Sequence, residues 1–327
     1  MAQAASEAGY YLDSFLAPLT PWLSRADVTD IWINRPGEVW IEVLSGGIEQ
    51  HEDASLTEDL LRRLARQVAA FGSQGISRSQ PLLAASLPDG SRVQVVAPPA
   101  TRGGHVVAIR RHVASDLSLA DWEEELAFEG LAGGEASLEA EPSWCSLAER
   151  EAASALREAV IARRNIIVSG GTSTGKTTFL NALLAEIPRH ERLILIEDTE
   201  ELRLRHNNAV GLIAARGSLS EAQVSAEDLL IAALRMRPDR IILGELRGQE
   251  AFTFLRAVNT GHPGSMTTIH ADTPQRAIEQ LALLVLQSGS RLARDDVREY
   301  VRQSIDVFVQ LERRQGQRRV SQVLVRQ

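Results

Sequence analysis

Gly170-Gly171-Thr172-Ser173-Thr174-Gly175-Lys176-Thr177 decides the fold of one half of the chain. The stretch has the spacing G-x-x-x-x-G-K-[ST] of a phosphate-binding loop. Before it, Asn165-Ile166-Ile167-Val168-Ser169 is a short apolar run, as in a buried strand; after it, Thr178 to Leu184 has helical apolar spacing, closed by Pro188. Strand, glycine loop and helix N-terminus aim successive backbone N–H groups at one point, which favours a polyphosphate. Glycines let the backbone close round the phosphates without a Cβ clash. Lys176 is expected to bridge the β- and γ-phosphates of ATP, and the Thr177 hydroxyl to hold Mg2+. The candidate nucleotide-binding residues are therefore Gly171, Thr172, Ser173, Thr174, Gly175, Lys176, Thr177 and Thr178. Of the 35 Lys plus Arg residues, Lys176 is the only lysine. A planar Arg fork does not replace a compact ammonium in so tight a loop.

Outward from the loop, short apolar strands alternate with helices. Arg192–Ile196, Arg240–Leu243 and Met266–Ile269 read as buried strands. Helices are expected over roughly 147–163, from Ser225 (N-cap, with Asp228 three residues on) to Met236, from Glu250 to Val258, and as one long helix from Thr273-Pro274. This pattern means a mainly parallel sheet covered on both faces. Asp306–Leu311 and Val320–Val325 read as an antiparallel edge hairpin. Residues 1–115 read as a smaller α+β domain. It has a helix within 6–23, a hairpin around Arg35-Pro36-Gly37, a capping box Ser55-Leu56-Thr57-Glu58, a second hairpin around Pro88-Asp89-Gly90 and a strand Val106–Arg110. Residues 116–149, with Gly130, Gly133, Gly134, Pro142 and several glutamates, read as a linker with one short helix; residues 150–327 form the nucleotide-binding domain.

Strand ends in such a sheet carry ligands. Ile196 is followed by Glu197-Asp198-Thr199-Glu200-Glu201, Leu243 by Gly244-Glu245-Leu246-Arg247, and Ile269 by His270-Ala271-Asp272. Hydrolysis of a γ-phosphate needs a metal-linked carboxylate and a group that orients the attacking water. Glu245 and Glu197 are the candidates for orienting water. Gly244 stands where an Asp would end a Walker B strand, so the metal-linked role falls on Glu245 together with Thr177. Arg247 joins the catalytic candidates, and His270 is the candidate γ-phosphate sensor. Glu200 and Glu201 read as a solvated charge run. No cysteine or acidic pair completes a zinc site around His262 and His270.

The net charge of −8 and pI near 5.5 argue against a basic coat for DNA, so no sequence-specific nucleic-acid binding is expected. A single cysteine, Cys145, excludes an intrachain disulfide and fits a reducing compartment; no apolar run approaches a membrane span, and the start carries no signal peptide. A cytoplasmic protein is expected.

The order of motifs resembles the secretion ATPase superfamily: phosphate loop, acidic box (Ile196-Glu197-Asp198-Thr199), atypical Walker B (Gly244-Glu245-Leu246-Arg247), and histidine box (Thr260-Gly261-His262 through His270). Leu234–Arg240, Ala257–Ser265, Leu87–Arg92, Ala97-Pro98-Pro99 and Ala108–Arg111 look most like the traffic ATPases of type IV secretion, the VirB eleven family. The resemblance implies a RecA-like P-loop domain and a homo-hexameric ring with nucleotide at the interdomain cleft. It implies that Arg92, Arg110 and Arg111 reach the nucleotide. It further implies peripheral docking on inner-membrane secretion components, and work on an exported protein or nucleoprotein substrate or on pilus assembly. A type II secretion or type IV pilus motor is the alternative, and a nucleic-acid translocase a more distant one.

Overall fold

The structure is a computed structural model that describes residues 12, 14–44, 47–111, 117–124, 127–131, 133–136, 144–214, 224–314 and 316–326. The chain divides into two compact units, 1–114 with 215–224 and 115–214 with 225–327.

In the first unit a 3-10 turn, Ala17–Leu19, leads into α1 (Thr20–Leu23). The strands β1 (Val28–Ile33), β2 (Glu38–Val43) and β3 (Ile48–Glu52), helix α2 (Glu58–Phe71), and β4 (Leu82–Ser86), β5 (Arg92–Val96) and β6 (Val106–Arg110) follow. All pairs are antiparallel, in the order β3-β2-β1-β6-β5-β4. Strand side chains alternate between faces, so Ile31, Ile33, Ile41, Val93, Val95, Val107 and Ile109 share one buried face, and Leu61, Leu64 and Val68 of α2 join them in one core. Both expected hairpins form, turning at Gly37 and Gly90 with φ of 86° and 82°. The capping box is displaced: Thr57, not Ser55, caps α2 by accepting the Leu60 N–H at 3.2 Å, while the Ser55 hydroxyl bonds Asp53. The first turn of the expected N-terminal helix, residues 6–11, lies outside the described residues.

The second unit runs α3 (Leu119–Glu124), β7 (Gly134–Ala136), β8 (Trp144–Ser146), α4 (Glu149–Ile161), β9 (Ile166–Gly170), α5 (Lys176–Ala185), β10 (Leu193–Glu197), β11 (Ala209–Ile213), α6 (Ala226–Ala233), β12 (Arg240–Leu243), α7 (Glu250–Asn259), β13 (Met266–Ile269), α8 (Pro274–Gln287), α9 (Arg294–Ser304), β14 (Val307–Arg314) and β15 (Gln317–Arg326). The sheet order is β11-β10-β12-β13-β9-β14-β15-β8-β7, parallel from β11 through β14. Every residue of β9, β10, β12 and β13 is buried, because helices cover both faces. Ile167, Ile196, Leu243 and Ile269 pack with α6 to α9, whereas Val168, Leu195, Ile242 and Val309 pack with α3, α4 and α5. Ser225 and Thr273 cap α6 and α8 as expected.

Two expectations change, and two elements, α9 and β11, come in addition. The closing hairpin is not at the edge: β14 lies beside β9, and β8 and β7 extend the sheet beyond β15. The presumed linker therefore supplies α3 and two strands; buried Trp144, 5.4 Å from the Phe308 ring, anchors β8, and three residues are too few to show periodicity. The long helix expected from Thr273-Pro274 forms and ends at Gln287; Gly289 (φ 84°) then turns the chain into a separate helix, α9. Edge strand β11, half-exposed along its length, carried no buried-strand signal. Among the described residues no helix is long and apolar enough to cross a membrane.

Candidate nucleotide and metal site

β9 delivers the loop from the middle of the sheet. At its last residue, Gly170, a Cβ would stand 2.6 Å from Thr174 Oγ1 and 2.9 Å from the Leu311 carbonyl oxygen, so only glycine fits. Thr174 donates its hydroxyl to the Gly171 carbonyl at 2.9 Å and closes the turn. Ser173 and Gly175 take left-handed φ of 61° and 91°. This alternation turns successive N–H groups toward one point, and α5 begins at once with Lys176. Lys176 is buried; its ammonium donates to the Gly170 and Gly171 carbonyls, both at 2.9 Å, and stands 3.5 Å from each ring nitrogen of His270. Thr172 is exposed and Thr178 half-buried.

In the acidic segment after β10, Glu200 is exposed as expected, but Glu201 is half-buried and partnered. Glu197 turns inward and accepts the backbone N–H groups of Glu201 (2.8 Å) and Leu202 (2.7 Å). Burial pushes its carboxyl up to about 7, although the two backbone hydrogen bonds pull the other way. Asn181 of α5 reinforces the turn, donating to the Glu201 carbonyl (3.1 Å) and accepting the Arg203 N–H (2.9 Å). This folding brings Glu201 onto the loop, where Thr177 donates its hydroxyl to Glu201 Oε2 at 2.9 Å. Sequence reasoning missed Glu201, because its role comes from the turn and not from its neighbours in the chain.

Gly244 lies close to β10: its N–H donates to the Ile196 carbonyl at 2.8 Å, and a Cβ there would meet Glu197 Cγ at 3.3 Å. Any side chain in the place of the usual Walker B acid would press on Glu197. The next residue, Glu245, faces an arginine and a histidine. Arg247 Nε donates to its Oε2 at 2.6 Å, and His270 Nε2 lies 2.8 Å from its Oε1. Arg247 also reaches Asp198 at 3.2 Å. Buried Glu250 accepts the Arg247 and Gly248 N–H groups at 2.7 and 2.8 Å and holds this turn, a role without a local sequence signal. Lys176, Thr177, Glu201, Glu245, Arg247, Asp198 and His270 thus stand together at the C-terminal ends of β9, β10, β12 and β13. His262 does not join them. It sits before β13, at the opposite end of the sheet, where its ring nitrogen lies 3.2 Å from the Pro238 carbonyl.

Among the described residues no group of three or more His, Cys, Asp or Glu side chains is arranged to hold a metal ion. The Thr177 hydroxyl and Glu201 carboxylate form a pair of oxygen donors, which suits a hard cation that keeps waters and phosphate oxygens as its other ligands.

The three arginines lie in the first unit. Arg92 and Arg110 face each other across β5 and β6, and Arg110 Nε is 3.4 Å from Asp30. Arg111 differs: its guanidinium is turned onto its own unit, donating to the carbonyls of Val28 (3.1 Å) and Arg25.

A model of the type II/IV secretion system protein family matches residues 14–321. The type IV secretion system protein VirB11 of Bartonella quintana is 38% identical over 94% of this chain and 91% of its own. PtlH of Bordetella pertussis, also a type IV secretion system protein, is 42% identical over 97% and 95%. The fold is shared with the pilus retraction motor PilT, at 20% identity and a TM-score of 0.61 over 94% of this chain and 82% of that one. It is shared likewise with the ATPase DotB of Legionella pneumophila, at 18% identity and a TM-score of 0.62 over 97% and 81%. With a family model spanning nearly the whole chain and relatives this similar over almost their full lengths, the chain belongs to the type II/IV secretion system proteins, in their VirB11-like group.

Proposed function

We propose that the chain is an ATP-hydrolysing motor of a type IV secretion apparatus. It works as a homo-hexameric ring docked peripherally on inner-membrane components at the cytoplasmic face, and it drives export of a protein or nucleoprotein substrate or pilus assembly. The observation that carries this reading is the meeting of Lys176, Thr177, Glu245 and His270 at one end of the sheet. Residues 171–178 bind the phosphates of ATP, and Lys176 moves from loop carbonyls to the β- and γ-phosphate oxygens. Thr177 and Glu201 hold Mg2+, which neutralises phosphate charge when bound. Glu245 orients the attacking water, with Arg247 and His270 fixing its carboxylate.

Glu245 is preferred to Glu197 because the Glu197 carboxylate is buried and occupied by two backbone N–H groups. A group acting mainly in the transition state lowers kcat far more than affinity when lost. Glu245→Gln is expected to bind ATP normally and to lose about 10²–10⁴-fold in kcat. Glu197→Gln keeps most of its turnover. Steady-state hydrolysis and ATP affinity, measured on both variants, check this; loss of turnover in the Glu197 variant alone would reverse the assignment.

A further inference from the structure

The side of the loop away from Glu245 carries a second cationic group. β14 runs parallel to β9 with Leu311 level with Gly170, and it continues to Arg314 before the chain returns as β15. Three further residues at ~3.3 Å each carry the hairpin about 10 Å past the end of β9. Across it, Arg313 pairs with Arg318 and Glu312 with Arg319. Arg318 lies against the loop itself: a Cβ on Gly175 would stand 2.9 Å from Arg318 Cδ and 3.4 Å from its Nε. The side chain therefore runs along the residue that opens α5, where the N–H groups point at phosphate.

Two features define what this guanidinium meets. Arg313 and Arg318 stand directly opposite each other on the hairpin, so two guanidinium-bearing residues face the loop from one side, Arg313 Nε also donating to the Gly316 carbonyl at 3.4 Å. They also approach from the β14–β15 hairpin, whereas Glu245 and His270 approach from β12 and β13, on the other side of β9. The γ-phosphate chemistry occupies the second side. The first is left for the part of the nucleotide that ATP and ADP share.

We propose that Arg318 binds the α-phosphate of the nucleotide held on residues 171–178 of the same chain, with Arg313 supporting it. This rests on the reading of that loop as the ATP site. The contact sets affinity and does not enter the hydrolytic step, and a guanidinium suits it because its planar fork meets two phosphate oxygens at once.

The test uses the full chain. Arg318→Gln keeps two of the three methylenes of the stem, places its amide carbon where Arg318 Cδ packs on Gly175, and removes the charge. It is expected to raise the Kd for both ADP and ATP about tenfold, as for loss of a hydrogen bond to a charged group. KM rises in parallel and kcat falls far less. Arg318→Lys recovers part of the affinity, and the melting temperature without nucleotide stays that of the wild type. Wild-type ADP affinity in Arg318→Gln overturns the proposal. So does a fall in kcat with Kd unchanged, or a loss of affinity that tracks a lower nucleotide-free melting temperature. Should Arg318→Gln not fold, Arg318→Lys is measured alone, and wild-type affinity there overturns the proposal. Lys176→Ala is the control for the underlying reading. If that variant still binds ADP as the wild type does, the loop is not the nucleotide site, whatever Arg318 does.

Discussion

Glu197 keeps 6% of its surface exposed and holds the acidic turn through two backbone N–H groups. Its ordinary value of 4.5 is pushed up to about 7 by burial, so between those values the folded chain keeps a proton that the unfolded chain has lost. Stability from this residue is present in full below about 4.5 and is lost as pH rises through about 7, by about 3 kcal/mol at most. Glu197→Gln, which never ionises, is expected to match the wild type near pH 5 and to exceed its stability at pH 8. Denaturant unfolding of both proteins at the two pH values measures this, and a stability difference independent of pH would contradict it. The site was partly legible for a matching reason. Lys176, Thr177, Glu245 and His270 stand at positions fixed by their own strand or loop, so spacing exposes them. Glu201 and Glu250 reach their places because a turn folds them back, and Arg318 reaches the loop because β15 returns along β14. Nothing within a few residues of any of the three announces it.

Elements are tied together below the site by a buried ion pair. Arg240, the first residue of β12, is fully buried; it grips Glu191 through two bonds of 2.7 and 2.8 Å and donates to the Val160 carbonyl at the end of α4. Burial alone would raise the Glu191 carboxyl, but the Arg240 guanidinium, with Arg163, holds it below its ordinary value. Gly264 makes room, since a Cβ there would lie 2.8 Å from Arg240 Nη1. Arg240→Ala leaves a buried carboxylate without its partner and is expected to cost about 3–5 kcal/mol, read as a shift in the urea midpoint. A change below about 1 kcal/mol would mean that water reaches Glu191. The long buried strands and capped helices of this unit were legible from apolar runs and from Ser225 and Thr273. The short strand β8 and the half-exposed β11 were not, because each is stabilised by pairing with its neighbour in the sheet, as Val325 with Cys145 and Ile194 with Val210.

At the scale of the chain, the second unit starts near residue 115 and not near 150. Leu119, Trp122, Ala127 and Phe128 belong to the same core as Phe179 and Leu180 of α5, and the Trp122 ring meets the Phe179 ring edge-on at 5.0 Å. A fragment 140–327 lacks these side chains and one covering 115–327 keeps them. Losing even one buried Trp costs about 3–5 kcal/mol, so the shorter fragment is expected to melt on the order of 10–20 °C lower. Equal melting temperatures in a thermal scan of the two fragments would show that α3 is not part of this core. The whole chain also carries one side-chain amine, Lys176, buried in the loop. Every amine-crosslinking reagent, and every enzyme that joins a tag through an isopeptide bond to lysine, finds its only side-chain amine inside the loop at which we place the nucleotide. The remaining side chains, however exposed, are silent to amine chemistry, which leaves the α-amine as the one other target.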